Sequence, residues 1–139
     1  QPYFGELLCD SDVDALVFDS FSNPDAKMIE ERLFPFIEQL QKAHPGIPLI
    51  FQQTIYRENR NFCTSREANE NAKQEMAAKL MKEACKKYDD VYFIEVTNAA
   101  NELHETSADG THPNDYGYTI WAESIQKPLL KILKKYGIR

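Results

Sequence analysis

Three short apolar runs, each bounded by polar residues and each followed by a longer segment of helical period, constrain this chain more than any other feature. They are Asp14-Ala15-Leu16-Val17-Phe18-Asp19, Pro48-Leu49-Ile50-Phe51-Gln52-Gln53-Thr54 and Val91-Tyr92-Phe93-Ile94-Glu95-Val96. A run of this length that stays apolar rather than alternating reads as a strand covered on both faces, as in a parallel sheet. The order β-α-β-α-β-α predicts a single α/β domain over residues 1–139, with right-handed crossovers. Residues 139 in number suffice for one domain with a real core.

The segments between the runs carry their own signals. Phe4, Leu7 and Leu8 read as the last turns of a helix. Asn23 before Pro24 reads as an N-cap with proline at the first helical position. The helix that follows carries Ile29, Leu33, Phe36, Ile37 and Leu40, with Pro35 expected to kink it. It should stop near Ala43-His44-Pro45-Gly46, with His44 solvated at its negative end. A second helix is predicted from Ser65 to Tyr88, with an apolar stripe of Ala68, Ala72, Met76, Leu80 and Ala84. The last, Tyr118 to Tyr136, presents Ile120, Trp121, Ile125, Leu129, Ile132 and Leu133, with Pro128 interrupting it.

Composition narrows the function classes. Hydrophobic residues make up 42% and charged residues 27%, ordinary globular values. The net charge of −6, with both signs interspersed, argues against a nucleic-acid surface. No apolar run approaches the roughly 20 residues of a membrane span. Cys9, Cys63 and Cys85 are odd in number and match no metal spacing, so they read as free thiols and give no compartment. No signal peptide is visible, and Gln1 in place of a Met start suggests a processed or truncated product.

Chemistry concentrates in Asp109-Gly110-Thr111-His112-Pro113-Asn114-Asp115-Tyr116-Gly117, between the third apolar run and the last helix. It holds an acid and an imidazole three residues apart. In an open parallel sheet, ligands sit outside the carboxyl ends of the strands, where this loop falls. Turn chemistry alone would also explain Asp109-Gly110, with Asn114 or Asp115 as the next N-cap. A metal site built on Asp109, His112 and Asp115 is a third reading, although no Cys pair or His-x-x-x-His stands near. Asn23 follows the first run and would share the same edge. An imidazole held by an acid is the base half of a Ser-His-Asp device, and an Asn amide is a known oxyanion donor. The stretch from Ile55 to Thr64 is longer than a usual βα connection, and Tyr56, Arg57 and Arg60 in it are candidates for substrate contact. His104, in the loop before Asp109, reads as exposed.

From about Asp14 to Leu133 the sequence resembles the SGNH (GDSL-like) hydrolase family. The stretch Asp109 to Tyr118 is similar to the family's last block, which supplies the catalytic Asp and His. Phe21-Ser22-Asn23-Pro24-Asp25 resembles its third block, whose Asn helps bind the oxyanion, with Phe21 in place of the usual Gly and Pro24 in place of Asp. The first block, Gly-Asp-Ser-x, and the Gly of the second are absent; Ser11, Ser20 and Ser22 lie in the wrong context for a nucleophile.

The resemblance implies a three-layer α/β/α, flavodoxin-like parallel sheet in the order 2-1-3-4-5, of which this chain would supply strands 3, 4 and 5. It implies a serine-type esterase or acylhydrolase in which Asp109 and His112 are catalytic and Asn23 serves the oxyanion. The nucleophile would come from a missing N-terminal segment. It implies a small acyl ester, on a carbohydrate or a lipid, with no metal or organic cofactor, and it leaves a secreted or periplasmic location open. Without its neighbour, the strand at 14–19 would expose unpaired backbone, so an N-terminal fragment or a second copy is expected to pair there. Set against this are a non-catalytic α/β binding module and a metal-dependent hydrolase.

Overall fold

In the computed structural model, which describes residues 2–138, the three apolar runs form β1 (Leu16–Phe18), β2 (Leu49–Gln52) and β3 (Val91–Ile94). They lie parallel in the order β1-β2-β3, with Leu16 beside Leu49 and Leu49 beside Val91. The strands are shorter than the apolar runs because the acids and amides at the run ends leave the ladder. Single bonds still extend it: the Leu49 amide donates to the Asp90 carbonyl at 2.8 Å, and the Gln53 amide to that of Ile94 at 2.9 Å.

Alternation along a strand sends successive side chains to opposite faces. Leu16, Leu49, Phe51 and Val91 therefore share one face with Ile29, Leu33, Ile37 and Leu40 of α2 (Ala26–Ala43) and Ala77, Leu80, Met81 and Ala84 of α3 (Thr64–Lys87). Phe51 sits at its centre, stacked on Phe18 at 4.8 Å and near Phe21 at 6.1 Å between ring centroids. Helix α1 (Pro2–Cys9) packs on α2 from outside. On the other face, Ile50, Tyr92 and Ile94 meet Ile125, Leu129, Ile132 and Leu133 of α4 (Asp115–Leu133). The result is a three-layer α/β/α arrangement. Helix α4 packs on β3, and Val17 of β1, on the same face, is left 44% exposed. No helix of the described residues is long and apolar enough to cross a membrane.

Several local expectations are corrected. Asp25, not Asn23, caps α2: its carboxylate accepts from the Met28 amide at 2.8 Å, and Ala26 is the first helical residue. The chain first makes a bend at Phe21–Pro24 that sinks Phe21 into the core. Helix α4 runs through Pro128 without interruption. In α3 the buried positions are Lys73, Ala77, Leu80, Met81 and Ala84, while Ala68 and Ala72 are exposed. The reason is geometric: an i,i+4 row drifts by about 40° per step around a 3.6-residue helix, so its early members rotate away from the core. His44 is half-buried rather than solvated; its Nε2–H donates to the Leu8 carbonyl at 2.7 Å and ties the end of α2 to α1.

Candidate active site

The connection from β3 to α4 is folded on itself by short-range bonds. The Ser107 hydroxyl donates to the His112 carbonyl at 2.8 Å, Ser107 and Pro113 form an isolated bridge, and the Asn114 amide donates to the Thr106 carbonyl at 2.8 Å. Asn114 then caps α4, its side chain accepting from the Gly117 amide at 3.0 Å. The loop's tip turns at Gly110, whose φ of +70° lies in the left-handed region that favours glycine. The turn signals read from the sequence are therefore present, and they hold a pair.

That pair is Asp109 and His112. Asp109 Oδ1 accepts from the backbone amides of Thr111 and His112, each at 2.8 Å, and its Oδ2 stands 2.7 Å from His112 Nδ1. A carboxylate only accepts, so Nδ1 carries the proton and Nε2 presents a lone pair. Nε2 has no hydrogen-bond partner among the described residues. The His112 amide, then its ring, then the Thr111 amide hold the Asp109 carboxyl well below the usual carboxylate range. An ionised acid that fixes the imidazole tautomer and leaves Nε2 free is the arrangement a general base requires.

Asn23 is exposed in the otherwise mostly buried bend after β1, and its side-chain amide is likewise unpartnered among the described residues. Bonds between neighbouring loops run along the carboxyl edge of the sheet. Ser22 Oγ lies 3.4 Å from Thr54 Oγ1, the Thr97 hydroxyl donates to the Gln53 carbonyl at 3.1 Å, and the Asn59 amide donates to the Gly110 carbonyl at 3.0 Å. The loops carrying Asn23, Tyr56 and His112 are thus linked in sequence along one rim.

The loop after β2 contains a short 3-10 turn, Glu58–Phe62. Tyr56 is 44% exposed at the rim; its hydroxyl donates to Asn61, and the Arg60 guanidinium lies 5.0 Å from its ring centroid. The two arginines do not face solvent. Arg60 is buried and donates to the side chains of Asn71 and Gln74. The Arg57 side chain is 15% exposed and stands 3.7 Å from Glu70 Oε1. It faces inward because the half-buried Glu70 carboxylate needs cations: Lys73 Nζ also reaches it, at 2.6 Å. Lys73 donates in addition to the Ser22 carbonyl at 3.1 Å. His104 is exposed, as expected, with Nδ1 2.8 Å from Glu58 Oε1.

Sequence reasoning missed Lys73, Glu70 and Asn59. Lys73 falls on the apolar face of α3 with no sequence signal. Asn59 stood only as one polar residue in an unusually long loop. Asp115 opens α4, and among the described residues no three His, Cys, Asp or Glu side chains gather as metal ligands. No serine hydroxyl bonds to the His112 ring among the described residues.

Residues 2–130 match the model of the GDSL-like lipase/acylhydrolase family. Among solved structures, the chain is similar to a protein described as a GDSL-like lipase from Bacteroides ovatus ATCC 8483. The identity is 33% and the TM-score 0.87, over 96% of this chain and 40% of that one. A second, the salicylyl-acyltransferase SsfX3 from a tetracycline biosynthetic pathway, shares the fold at 20% identity and a TM-score of 0.70, over 95% of this chain and 41% of its own. The chain thus spans about two fifths of the length of either structure. No curated protein matches it. With the α/β layers and the family match over residues 2–130 in agreement, the chain belongs to the GDSL-like lipase/acylhydrolase family.

Proposed function

We propose that this chain contributes the acid–base pair and an oxyanion amide to a serine-type ester hydrolase, its nucleophile coming from a segment outside residues 1–139. The observation that carries the reading is the 2.7 Å contact between Asp109 Oδ2 and His112 Nδ1, with Nε2 left free at the carboxyl edge of the sheet. In this reading the serine hydroxyl attacks the ester carbonyl while His112 Nε2 takes its proton. Asp109 holds the ring and stabilises the imidazolium. The tetrahedral oxyanion accepts from Asn23, a contribution of about 3 kcal/mol in sites of this kind. His112 then protonates the leaving alcohol, and a water molecule activated by the same nitrogen releases the acid. No cofactor enters these steps. The substrate is a small acyl ester of a carbohydrate or lipid, and Tyr56 is the exposed side chain placed to touch it.

The β1 edge supports the partner this requires. Val17 is exposed on a sheet face whose helix, α4, packs on β3, and β1 has no outer neighbour among the described residues. An N-terminal segment of the same protein, or a second copy, would pair there.

The test is ester turnover by the complete protein before and after His112→Ala. Loss of turnover by at least about a thousandfold with the fold intact is expected for removal of a general base. Retained turnover overturns the assignment. A serine-reactive phosphonate separates the enzyme from a non-catalytic module: the complete protein should label once, and a homogeneous preparation that does not label favours the module.

A further inference from the structure

We propose that Arg57-Glu58-Asn59 is a positioning segment that sets the Asn23 bend and the Asp109–His112 loop in place relative to one another. The proposal rests on the ester-hydrolase reading of those two loops, but the structural claim can be tested without it.

The geometry poses a problem that something in the fold must solve. The Asn23 bend follows β1 and the His112 loop follows β3, with β2 between them. Parallel strands lie about 4.8 Å apart, so the two outer strands are separated by roughly 10 Å. A base and an oxyanion donor must be held to within about 0.5 Å of the productive geometry. No hydrogen bond among the described residues joins the two loops directly. The loop that leaves β2 reaches both instead: Asn59 bonds to the His112 loop directly, and Arg57, two residues earlier, is linked to the Asn23 bend through Glu70 and Lys73 of α3.

Asn59 holds the base side twice. Its backbone amide donates to the Gly110 carbonyl at 3.0 Å, and its side-chain amide donates to the Thr111 hydroxyl. The approach is close: a Cβ on Gly110 would stand 2.9 Å from the Asn59 backbone nitrogen. Gly110 and Thr111 lie between Asp109 and His112, so the clasp grips the turn that brings acid and imidazole together. Glu58 adds a contact to the same connection through His104, at 2.8 Å.

Arg57 holds the other side through two charged groups. Its guanidinium and Lys73 share Glu70 Oε1, at 3.7 and 2.6 Å. Lys73, with a side chain 6% exposed, donates to the Ser22 carbonyl at 3.1 Å. That carbonyl belongs to the Ser22–Asn23 peptide, so the ammonium fixes the plane from which Asn23 projects. Ser22 is further held by the Asp19 carboxylate, which accepts from its hydroxyl at 2.6 Å.

The cluster is a poor choice for stability alone. Arg57 Nε and Glu70 Oε2 are buried without hydrogen-bond partners. Groups left in that state cost free energy, and apolar residues of the same size would avoid the cost. Local violations of this sort concentrate where position matters more than stability.

The experiment is NMR on the full 139-residue chain. Asn59→Ala and, as a second variant, Thr111→Val are expected to raise the Asp109 carboxyl titration toward the ordinary carboxylate range. They should also speed amide exchange at Thr111 and His112 by about fivefold to tenfold, the loss of one hydrogen bond. Arg57→Met is expected to shift the Ser22 and Asn23 amide resonances and leave the Asp109 titration where it was. In the complete enzyme, Asn59→Ala should lower kcat with KM little changed. If Asn59→Ala and Thr111→Val both leave Asp109 and its neighbours unmoved, or if Arg57→Met leaves Ser22 and Asn23 unmoved, the proposal is overturned. If His112→Ala retains turnover, the hydrolase reading fails, and the NMR readouts still judge the positioning segment by themselves.

Discussion

Replacing Gly110 by alanine, with Gly46→Ala as an internal control, separates backbone strain from contact. Both glycines have φ in the left-handed region, +70° at Gly110 and +83° at Gly46. An L side chain there costs roughly 1–2 kcal/mol, and the stiffer unfolded chain returns about 0.4–1 kcal/mol, equally at both sites. The surroundings differ. A Cβ at Gly46 meets nothing within 4 Å, whereas at Gly110 it stands 2.9 Å from the Asn59 nitrogen and 3.3 Å from the Asn59 Cα. Backbone cannot swing aside as a flexible side chain can. Asn59 must retreat, and its 3.0 Å bond to the Gly110 carbonyl lengthens or breaks. One hydrogen bond of ordinary net worth is about 1 kcal/mol, and the linked side-chain bond to Thr111 brings the excess over Gly46→Ala to about 1–2 kcal/mol. For a chain of this size 1 kcal/mol moves Tm by about 4 °C, so Gly110→Ala should melt about 4–8 °C below Gly46→Ala. Differential scanning calorimetry of the two variants reads the gap. Equal melting temperatures would mean that strain alone accounts for both and that the Asn59 contact contributes nothing.

Other outcomes follow from the same contacts. The Asp109 carboxyl is depressed in the folded state, first by the His112 amide, so its contribution to stability is present above the unfolded value near pH ~4 and lost as pH falls below it. Urea unfolding between pH 3 and 6 should therefore fall more steeply with acid for the wild type than for Asp109→Asn, and parallel slopes would contradict this. Lys73→Met leaves the Glu70 carboxylate with Arg57, at 3.7 Å, as its cation among the described residues, and breaking a largely buried pair of this sort costs up to about 3–5 kcal/mol. Denaturant titration should show Lys73→Met/Glu70→Leu recovering part of that loss; a single variant as stable as wild type would remove the pair's structural role. Val17→Asp, on an exposed strand edge, should change the stability of the isolated chain by no more than about 0.5 kcal/mol. It should nonetheless abolish association with an N-terminal segment or a second copy on size exclusion, and a surviving complex would place the pairing elsewhere.

The pattern of residues along the chain is enough to set the class of fold. Apolar runs at 14–19, 48–54 and 91–96, separated by helix-period segments, leave little but a parallel sheet between helices, because strands of that kind must be covered on both faces. It also determined the Asp109–His112 pair. Acid and imidazole lie three residues apart in one turn, so their contact is local and the Gly, Pro and Asn around them report the turn directly. The N-cap of α2 departs from its sequence signal for the opposite reason: Asn23-Pro24 has the right composition for a cap, but burial of Phe21 in the core carries the bend two residues further, to Asp25. The inward turn of Arg57, the burial of Lys73 on the apolar side of α3 and the clasp of Asn59 on Gly110 come from long-range packing instead. These contacts join residues 13 to 52 positions apart in the chain, and residue type carries no record of a partner so distant. What spacing can encode is what lies within one turn of helix or loop; what three strands bring to a common rim is set by their register.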